Sequence, residues 1–153
     1  MLLGTAVARG DDSSSEGPSG HWRLAVTAGV GSANHNTYFL IGGMVGYEMA
    51  LGFTPNLQGL AWTGSTPSMF KLSPGLTWYA PLPLIRPYVG AFYSHWFVGS
   101  GFPDQDAIGL RGGLQLASAG PATIDAGVAY EHLLSCSVDC DSWWPEISAA
   151  VRF

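Results

Sequence analysis

The sequence is short of charged residues. Only 11% of its 153 residues are Asp, Glu, Lys or Arg, whereas an ordinary soluble domain has about 25%. Six basic residues against eleven acidic ones leave a formal net charge of −5. This balance excludes the basic surface that a nucleic-acid-binding protein requires. With hydrophobic residues at 47%, there is too little charge to cover a fold that water surrounds on every side.

The sequence also lacks the composition of a helical protein. Twenty-one glycines and ten prolines oppose helices, because each glycine inside a helix costs about 1 kcal/mol relative to alanine. The most apolar stretch, 37–53, is about long enough to cross a bilayer as a helix, but it contains four glycines and Glu48. Its apolar residues alternate, which indicates a strand. Phosphate-binding loops and paired metal motifs are missing, so we predict no cofactor and no metal site.

From His21 onward, alternating segments are separated by turn residues such as Thr54-Pro55-Asn56. The pattern predicts one domain at 21–153: all-β, a closed, antiparallel, eight-stranded up-and-down barrel. Eight is the smallest common strand number for a closed barrel. The predicted strands are 22–32, 37–52, 56–64, 69–80, 86–98, 106–117, 122–134 and 144–153, the third without clear parity.

The amino-terminal residues differ in composition from the rest. Residues 1–8 are small and apolar with an A-x-A pattern, which is typical of the end of a secretory signal; a merely small, apolar start is the alternative. Residues 9–20 are polar and rich in Ser and Gly. We predict that they form a disordered segment before the barrel.

Strand parity places the charged residues opposite the apolar ones. The predicted polar face carries nine charges, namely Arg23, Glu48, Lys71, Arg86, Arg111, Asp125, Glu131, Glu146 and Arg152. In a soluble barrel this face would meet water, whereas in a membrane barrel it would fill the interior and the apolar face would meet lipid. Most strand glycines share the polar face, which favours a narrow interior, since glycine on a solvent-exposed strand only weakens it.

Aromatic residues on the apolar face fall near the two ends of the strands. Two belts of this kind are typical of the girdles of membrane barrels. The predicted girdle consists of Trp22, Phe39, Phe53, Phe70, Trp78, Tyr93, Phe97 and Tyr130.

The chain ends on an alternating strand whose apolar members are Ile147, Ala149, Val151 and Phe153. A final strand ending on Phe resembles the assembly signal of bacterial outer-membrane β-barrel proteins. Residues 21–153 are similar in architecture to small barrels of the OmpA/OmpX type, although the loops here are shorter. The resemblance implies a monomer in the bacterial outer membrane, surrounded by lipid. It also implies that periplasmic chaperones and the barrel-assembly machinery handle the chain during its biogenesis.

The expected pairing of the last strands predicts an interior ion-pair network. We expect the network to be centred on Arg111 and Arg152, with Asp125 shared between them. Arg111 should lie roughly opposite Val128, between Asp125 and Glu131, and bridge these two carboxylates through its planar guanidinium. We further expect Asp125 beside Arg152 and Glu131 beside Glu146.

Cys136 and Cys140 flank a short segment before the last strand. In an oxidising compartment they would form a disulfide. Free thiols, or a metal site with Asp139 and Asp141, are the alternatives.

Three functions fit these observations. The first is a small structural or interaction barrel, porin-like in its strands, with an interior that side chains fill rather than a pore. The second is a soluble eight-stranded barrel that binds an apolar ligand. The third is a lipid-A-modifying enzyme using His132, Ser135 and Glu131, although Glu131 and His132 should point to opposite faces.

Overall fold

The computed structural model describes residues 20–33, 36–82, 85–99, 101–137 and 140–153. Each strand pairs antiparallel with the next, and the last strand closes on the first. This confirms the predicted closed, eight-stranded up-and-down barrel. The strands are β1 (His21–Ala33), β2 (Asn36–Glu48), β3 (Phe53–Thr63), β4 (Met69–Tyr79), β5 (Arg86–Val98), β6 (Gln105–Ala119), β7 (Ala122–Leu133) and β8 (Asp141–Arg152).

Among these described residues, no helix is long and apolar enough to cross a membrane. A single short 3₁₀ turn, Ala50–Gly52, interrupts the strands of the described part. The segment predicted as a signal remnant, 1–8, and almost all of the lead-in, 9–20, lie outside the described residues.

The barrel closes through its two terminal strands. Arg23 of β1 pairs with Arg152 of β8, and the ladder continues to Gly29 and Glu146. Trp22 and Phe153 exchange both backbone hydrogen bonds, at 2.9 and 3.0 Å. We call the end of the barrel that carries these residues the proximal rim and the opposite end the distal rim.

The first proximal turn differs from the prediction. Thr54-Pro55-Asn56 was expected to be a turn but lies within β3. The chain reverses at 49–52 instead, where Leu51 and Gly52 have φ values of 64° and 84°. Glycine adopts this left-handed conformation without cost, and Pro55 is tolerated in the strand with its ring on the outer surface.

The two faces of the barrel have opposite character. Val26, Phe39 and Leu110 on the outside are 60 to 64% exposed, whereas Arg23 and Glu131 on the inside are fully buried. The aliphatic side chains that share the parity of the apolar face are also exposed, among them Ile108, Leu114, Ile124, Val128 and Ile147. An apolar exterior around a charged interior is the arrangement of a membrane barrel. It does not fit the soluble alternative, in which the aliphatic residues would form the core.

Inward glycines make room for large rings in the narrow interior. A Cβ atom at Gly109 would collide with the ring of Phe92, and one at Gly127 would collide with the hydroxyl of Tyr88. Both rings are buried. Glycine on the inner face therefore has the packing role that its position in the sequence indicated.

Candidate functional site: the filled interior and the distal outer surface

The proximal half of the interior is organised around a buried carboxylate. Asp125 forms an ion pair with Arg23. It also accepts hydrogen bonds from the Gln115 side chain at 3.1 Å and the Tyr79 hydroxyl at 3.4 Å. The Arg23 guanidinium lies over the Tyr79 ring, 4.8 Å from its centroid. Pairing and hydrogen bonding offset part of the cost of burying these charges.

At the proximal rim, the ion pairs are more accessible. Glu48 accepts a hydrogen bond from Arg86 at 2.8 Å and lies 3.8 Å from Arg152. The Arg152 side chain is 24% exposed and that of Glu48 is 11% exposed. Water therefore reaches part of this cluster.

Arg111 occupies the middle of the interior, and its pairing differs from the prediction. It donates to the Gln58 side chain at 2.7 Å across the lumen and lies 4.0 Å from Glu146. The expected bridge between Asp125 and Glu131 is wrong. The predicted strand pairing was off by one residue, since Arg111 pairs with Ala129 rather than with Val128. In addition, long side chains reach across a narrow lumen as easily as to the next strand.

The expected neighbours along β7 and β8 were also wrong. Asp125 lies opposite Ser148 rather than Arg152, and Glu131 lies opposite Ser142. The reason is that β8 begins at Asp141, three residues earlier than predicted.

The distal half contains a sealed ion pair. Lys71 donates to Glu131 at 2.6 Å, and the two side chains are 1% and 0% exposed. The Trp96 indole donates to the second oxygen of Glu131 at 2.5 Å. The Lys71 ammonium lies 4.0 Å from the centroid of a Trp144 ring and 5.3 Å from that of Phe92. The contacts therefore combine an ion pair with cation–π interactions.

An aromatic layer surrounds this pair and closes the distal end. The Trp62 ring lies 4.9 Å from Trp96, 5.4 Å from Trp144 and 5.8 Å from Tyr38, centroid to centroid. Trp62, Trp144 and Tyr38 are at most 1% exposed. The sequence did not predict this layer, because the apolar and polar residues of β3 do not alternate clearly. A signal was present, since Trp62 shares the parity of Gln58, a polar residue that faces inward.

The outer surface carries the predicted girdle and the terminal apolar strand. All eight girdle residues are between 37 and 64% exposed, as are Ile147 and Val151, and Phe153 is 65% exposed. Ala149 is exposed as well. The side chains therefore face the surroundings of the barrel.

Two similar clusters lie on the outer surface near the distal rim. In the first, the Tyr93 hydroxyl and the His95 Nδ1 atom (at 2.8 Å) both contact Asp106. In the second, the Tyr130 hydroxyl and the His132 Nδ1 atom both contact Asp141, each at 2.7 Å. We call these two groups of three residues the Tyr–His–Asp clusters. Sequence reasoning missed them, although the spacing Tyr-x-His occurs twice and could have indicated a repeated feature.

The residues considered for catalysis are separated. Glu131 is buried in the lumen with Lys71, whereas His132 is on the outer surface. In the described part of the chain, no hydrogen bond joins Ser135 to His132. The carboxylate that contacts His132 is Asp141 instead.

Cys136 and Cys140 form a disulfide in the distal loop between β7 and β8. This is the first of the three states considered from the sequence. Asp139, which the metal alternative required, lies outside the described residues.

No family model and no curated protein matches the sequence, but solved structures resemble the fold. The amino-terminal β-barrel domain of Pseudomonas aeruginosa OprF matches with a TM-score of 0.69 at 15% identity, over 87% of this chain and 97% of that one. Neisserial surface protein A matches with a TM-score of 0.63 at 18% identity, over 90% and 98%. The outer membrane enzyme PagL matches with a TM-score of 0.53 at 14% identity, over 83% and 98%.

The fold is therefore that of small eight-stranded outer-membrane β-barrels, and the resemblance in architecture is confirmed. Together with the apolar exterior and the charged, filled interior, it defines the chain as a transmembrane β-barrel.

Proposed function

We propose that the protein is a monomeric barrel of the bacterial outer membrane with a structural or interaction role, and that it is neither a pore nor an enzyme. One observation carries the proposal: side chains fill the interior along its length. The Arg23–Asp125 pair, the Arg111–Gln58 contact and the Lys71–Glu131 pair occupy successive levels, and aromatic rings close the distal end.

An eight-stranded barrel has an interior only wide enough for side chains. An ion that crossed this one would have to displace Lys71 from Glu131 and move several buried tryptophan rings. Breaking a buried ion pair costs about 3–5 kcal/mol, which makes such an opening rare.

Conductance in a planar lipid bilayer tests this proposal. We expect no stable current steps for the native protein. The comparison is the double variant Trp62→Gly/Trp144→Gly, which removes two of the three tryptophan rings of the aromatic layer. It should also give no stable current steps if it folds, because the Arg111–Gln58 contact and the Arg23–Asp125 pair still fill the lower levels of the lumen. Regular current steps from the native barrel would contradict the proposal.

We further propose that the outer-membrane insertion machinery recognises β8 during assembly. The apolar side chains that it would contact are exposed on the outer surface, namely Ile147, Ala149, Val151 and Phe153. Deleting Phe153 should lower the amount of folded barrel in cells several-fold, whereas Phe153→Tyr should retain most of it. The readout is the fraction that migrates as a folded, heat-modifiable band after membrane isolation. Normal levels of the deletion variant would show that the terminal aromatic is not a signal.

A lipid-modifying enzyme is the second candidate. The observation that favours it is the His132–Asp141 hydrogen bond, because a carboxylate that holds one imidazole nitrogen leaves the other free to act as a base. Incubating the purified barrel with lipid A and measuring released fatty acid tests this candidate. Release by the native protein that is lost in His132→Gln would favour the enzyme.

A further inference from the structure

The outer surface of the barrel contains a groove near the distal Tyr–His–Asp clusters. It runs across β4, β5, β6 and β7 and has a volume of about 580 Å³, within the range of about 300–1,000 Å³ that is typical of small-molecule sites. The outward residues that line it include Ala91, Tyr93, Ile108, Leu110, Tyr130 and His132.

The groove exists because a small residue lies between larger ones. Ala91 pairs with Leu76 on one side and with Leu110 on the other. Its methyl group forms a low floor, and Ile108 and Leu110 form a wall. This wall is apolar and faces lipid, so the lower part of the groove suits a hydrocarbon chain.

The distal end of the groove is polar. Tyr93 is held by Asp106, and Tyr130 and His132 are held by Asp141. The side chains of Asp106 and Asp141 are 46% and 60% exposed. An ionised carboxylate has about four acceptor sites, so each one can accept further hydrogen bonds from a ligand.

The charges around this end favour a ligand that donates hydrogen bonds. Every Lys and Arg among the described residues projects into the lumen, and Asp104 adds a third carboxylate, 3.8 Å from His95 of the first cluster. Sugar hydroxyls are donors that require no positive charge, and the apolar face of a sugar packs against aromatic rings. Trp143 offers such a ring, since it is 69% exposed and pairs with Tyr130 across the strands.

We infer that this groove binds one membrane glycolipid, with an acyl chain along the Ala91 floor and the sugar headgroup against the Tyr–His–Asp clusters and Trp143. The inference rests on the proposed function, because it names a partner for the interaction barrel. Tyrosine and tryptophan commonly lie at the headgroup level of a bilayer, which places the polar end of the groove where a sugar would be.

Photo-crosslinking tests the position of the chain. The barrel is reconstituted into phosphatidylcholine vesicles that contain a glycosyl diacylglycerol with a diazirine in its acyl chain. We expect crosslinks concentrated several-fold in the β5 and β6 peptides. Ala91→Trp should fill the groove and reduce them to the level of the other strands. Ala28→Trp, an outward alanine on β1 at the opposite wall, should leave them unchanged.

The headgroup is tested by placing the same photoreactive chain on phosphatidylcholine and on phosphatidylethanolamine. We expect the glycosyl lipid to give several-fold more β5 and β6 crosslinks than either. Trp143→Ala should reduce this preference, whereas Trp22→Ala at the proximal rim should not. If Ala91→Trp fails to give the heat-modifiable band of a folded barrel, the smaller substitution Ala91→Leu takes its place.

Three results would overturn the inference: crosslinks spread evenly around the barrel, equal or greater crosslinking by phosphatidylethanolamine, and crosslinks between two copies of the chain through this face. None of them would affect the absence of conductance that the proposed function predicts. Current steps or lipid A hydrolysis, in contrast, would contradict the proposed function without changing where the lipid binds.

Discussion

The distal half of the interior and the proximal rim use the same kind of contact in different surroundings. In the distal half, Lys71 and Glu131 are sealed beneath aromatic rings. At the proximal rim, Glu48 meets Arg86 and Arg152 where water still reaches the side chains. A buried charge that loses its partner has no water to replace it, whereas an exposed one does. Removing one partner of an ion pair should therefore lower the free energy of unfolding far more at the distal end than at the proximal rim.

The largest effect is expected for Glu131→Ala. It leaves the Lys71 ammonium buried without its carboxylate and removes the acceptor of the Trp96 indole, so the free energy of unfolding should fall by about 3–5 kcal/mol. Urea unfolding of the barrel in lipid vesicles measures this change in the free energy of unfolding. The control is Lys71→Met/Glu131→Gln, which removes both charges and should cost clearly less. If the double variant is as unstable as the single one, the pair is not the source of the effect.

A smaller loss is expected for Arg111→Ala. Arg111 donates to Gln58 but lies 4.0 Å from Glu146, so the variant loses a hydrogen bond from a charged donor rather than a tight ion pair, at about 1.5–3 kcal/mol. This is below the value that the expected bridge to two carboxylates would have predicted. The same urea titration provides the measurement.

Leu114→Ala is the matched control for Arg111→Ala, because Leu114 lies on the same strand and faces outward. A leucine in a soluble core costs about 2–5 kcal/mol when cut to alanine. Here lipid fills the space that the removed side chain leaves, so we expect a much smaller loss of unfolding free energy. Greater destabilisation by Leu114→Ala than by Arg111→Ala would mean that the inside and the outside of the barrel are reversed.

The smallest effect is expected for Glu48→Gln at the proximal rim. The Glu48 side chain is 11% exposed, but its partners Arg86 and Arg152 are 15% and 24% exposed and keep some contact with water, so the loss should be well below that of Glu131→Ala, at about 1 kcal/mol. It should also diminish as salt is raised. An effect as large as that of Glu131→Ala, independent of salt, would remove the distinction between the distal pair and the proximal rim.

The set of charged residues inside the barrel could be predicted from the sequence. Two pairs of charged residues each fall on one face of a strand: Asp125 and Glu131 do so in β7, and Glu146 and Arg152 in β8. Once the apolar face was assigned to lipid, these four residues had to lie inside the barrel. The alternation of apolar residues from Ile147 to Val151 indicated the same architecture. Strand boundaries were less accurate where Pro55, which resembles a turn residue, lies within β3, and at β8, which begins at Asp141 rather than at residue 144.

Alternation along the strands therefore determined the closed barrel, its apolar exterior and the set of charges inside, because side-chain direction in a strand depends only on position along the chain. The partners of those charges were decided by the tertiary structure. Lys71 reaches Glu131 from three strands away, and Asp106 and Asp141 each collect a Tyr and a His from a neighbouring strand. Such contacts depend on register and on the width of the lumen, which arise only when all eight strands have closed.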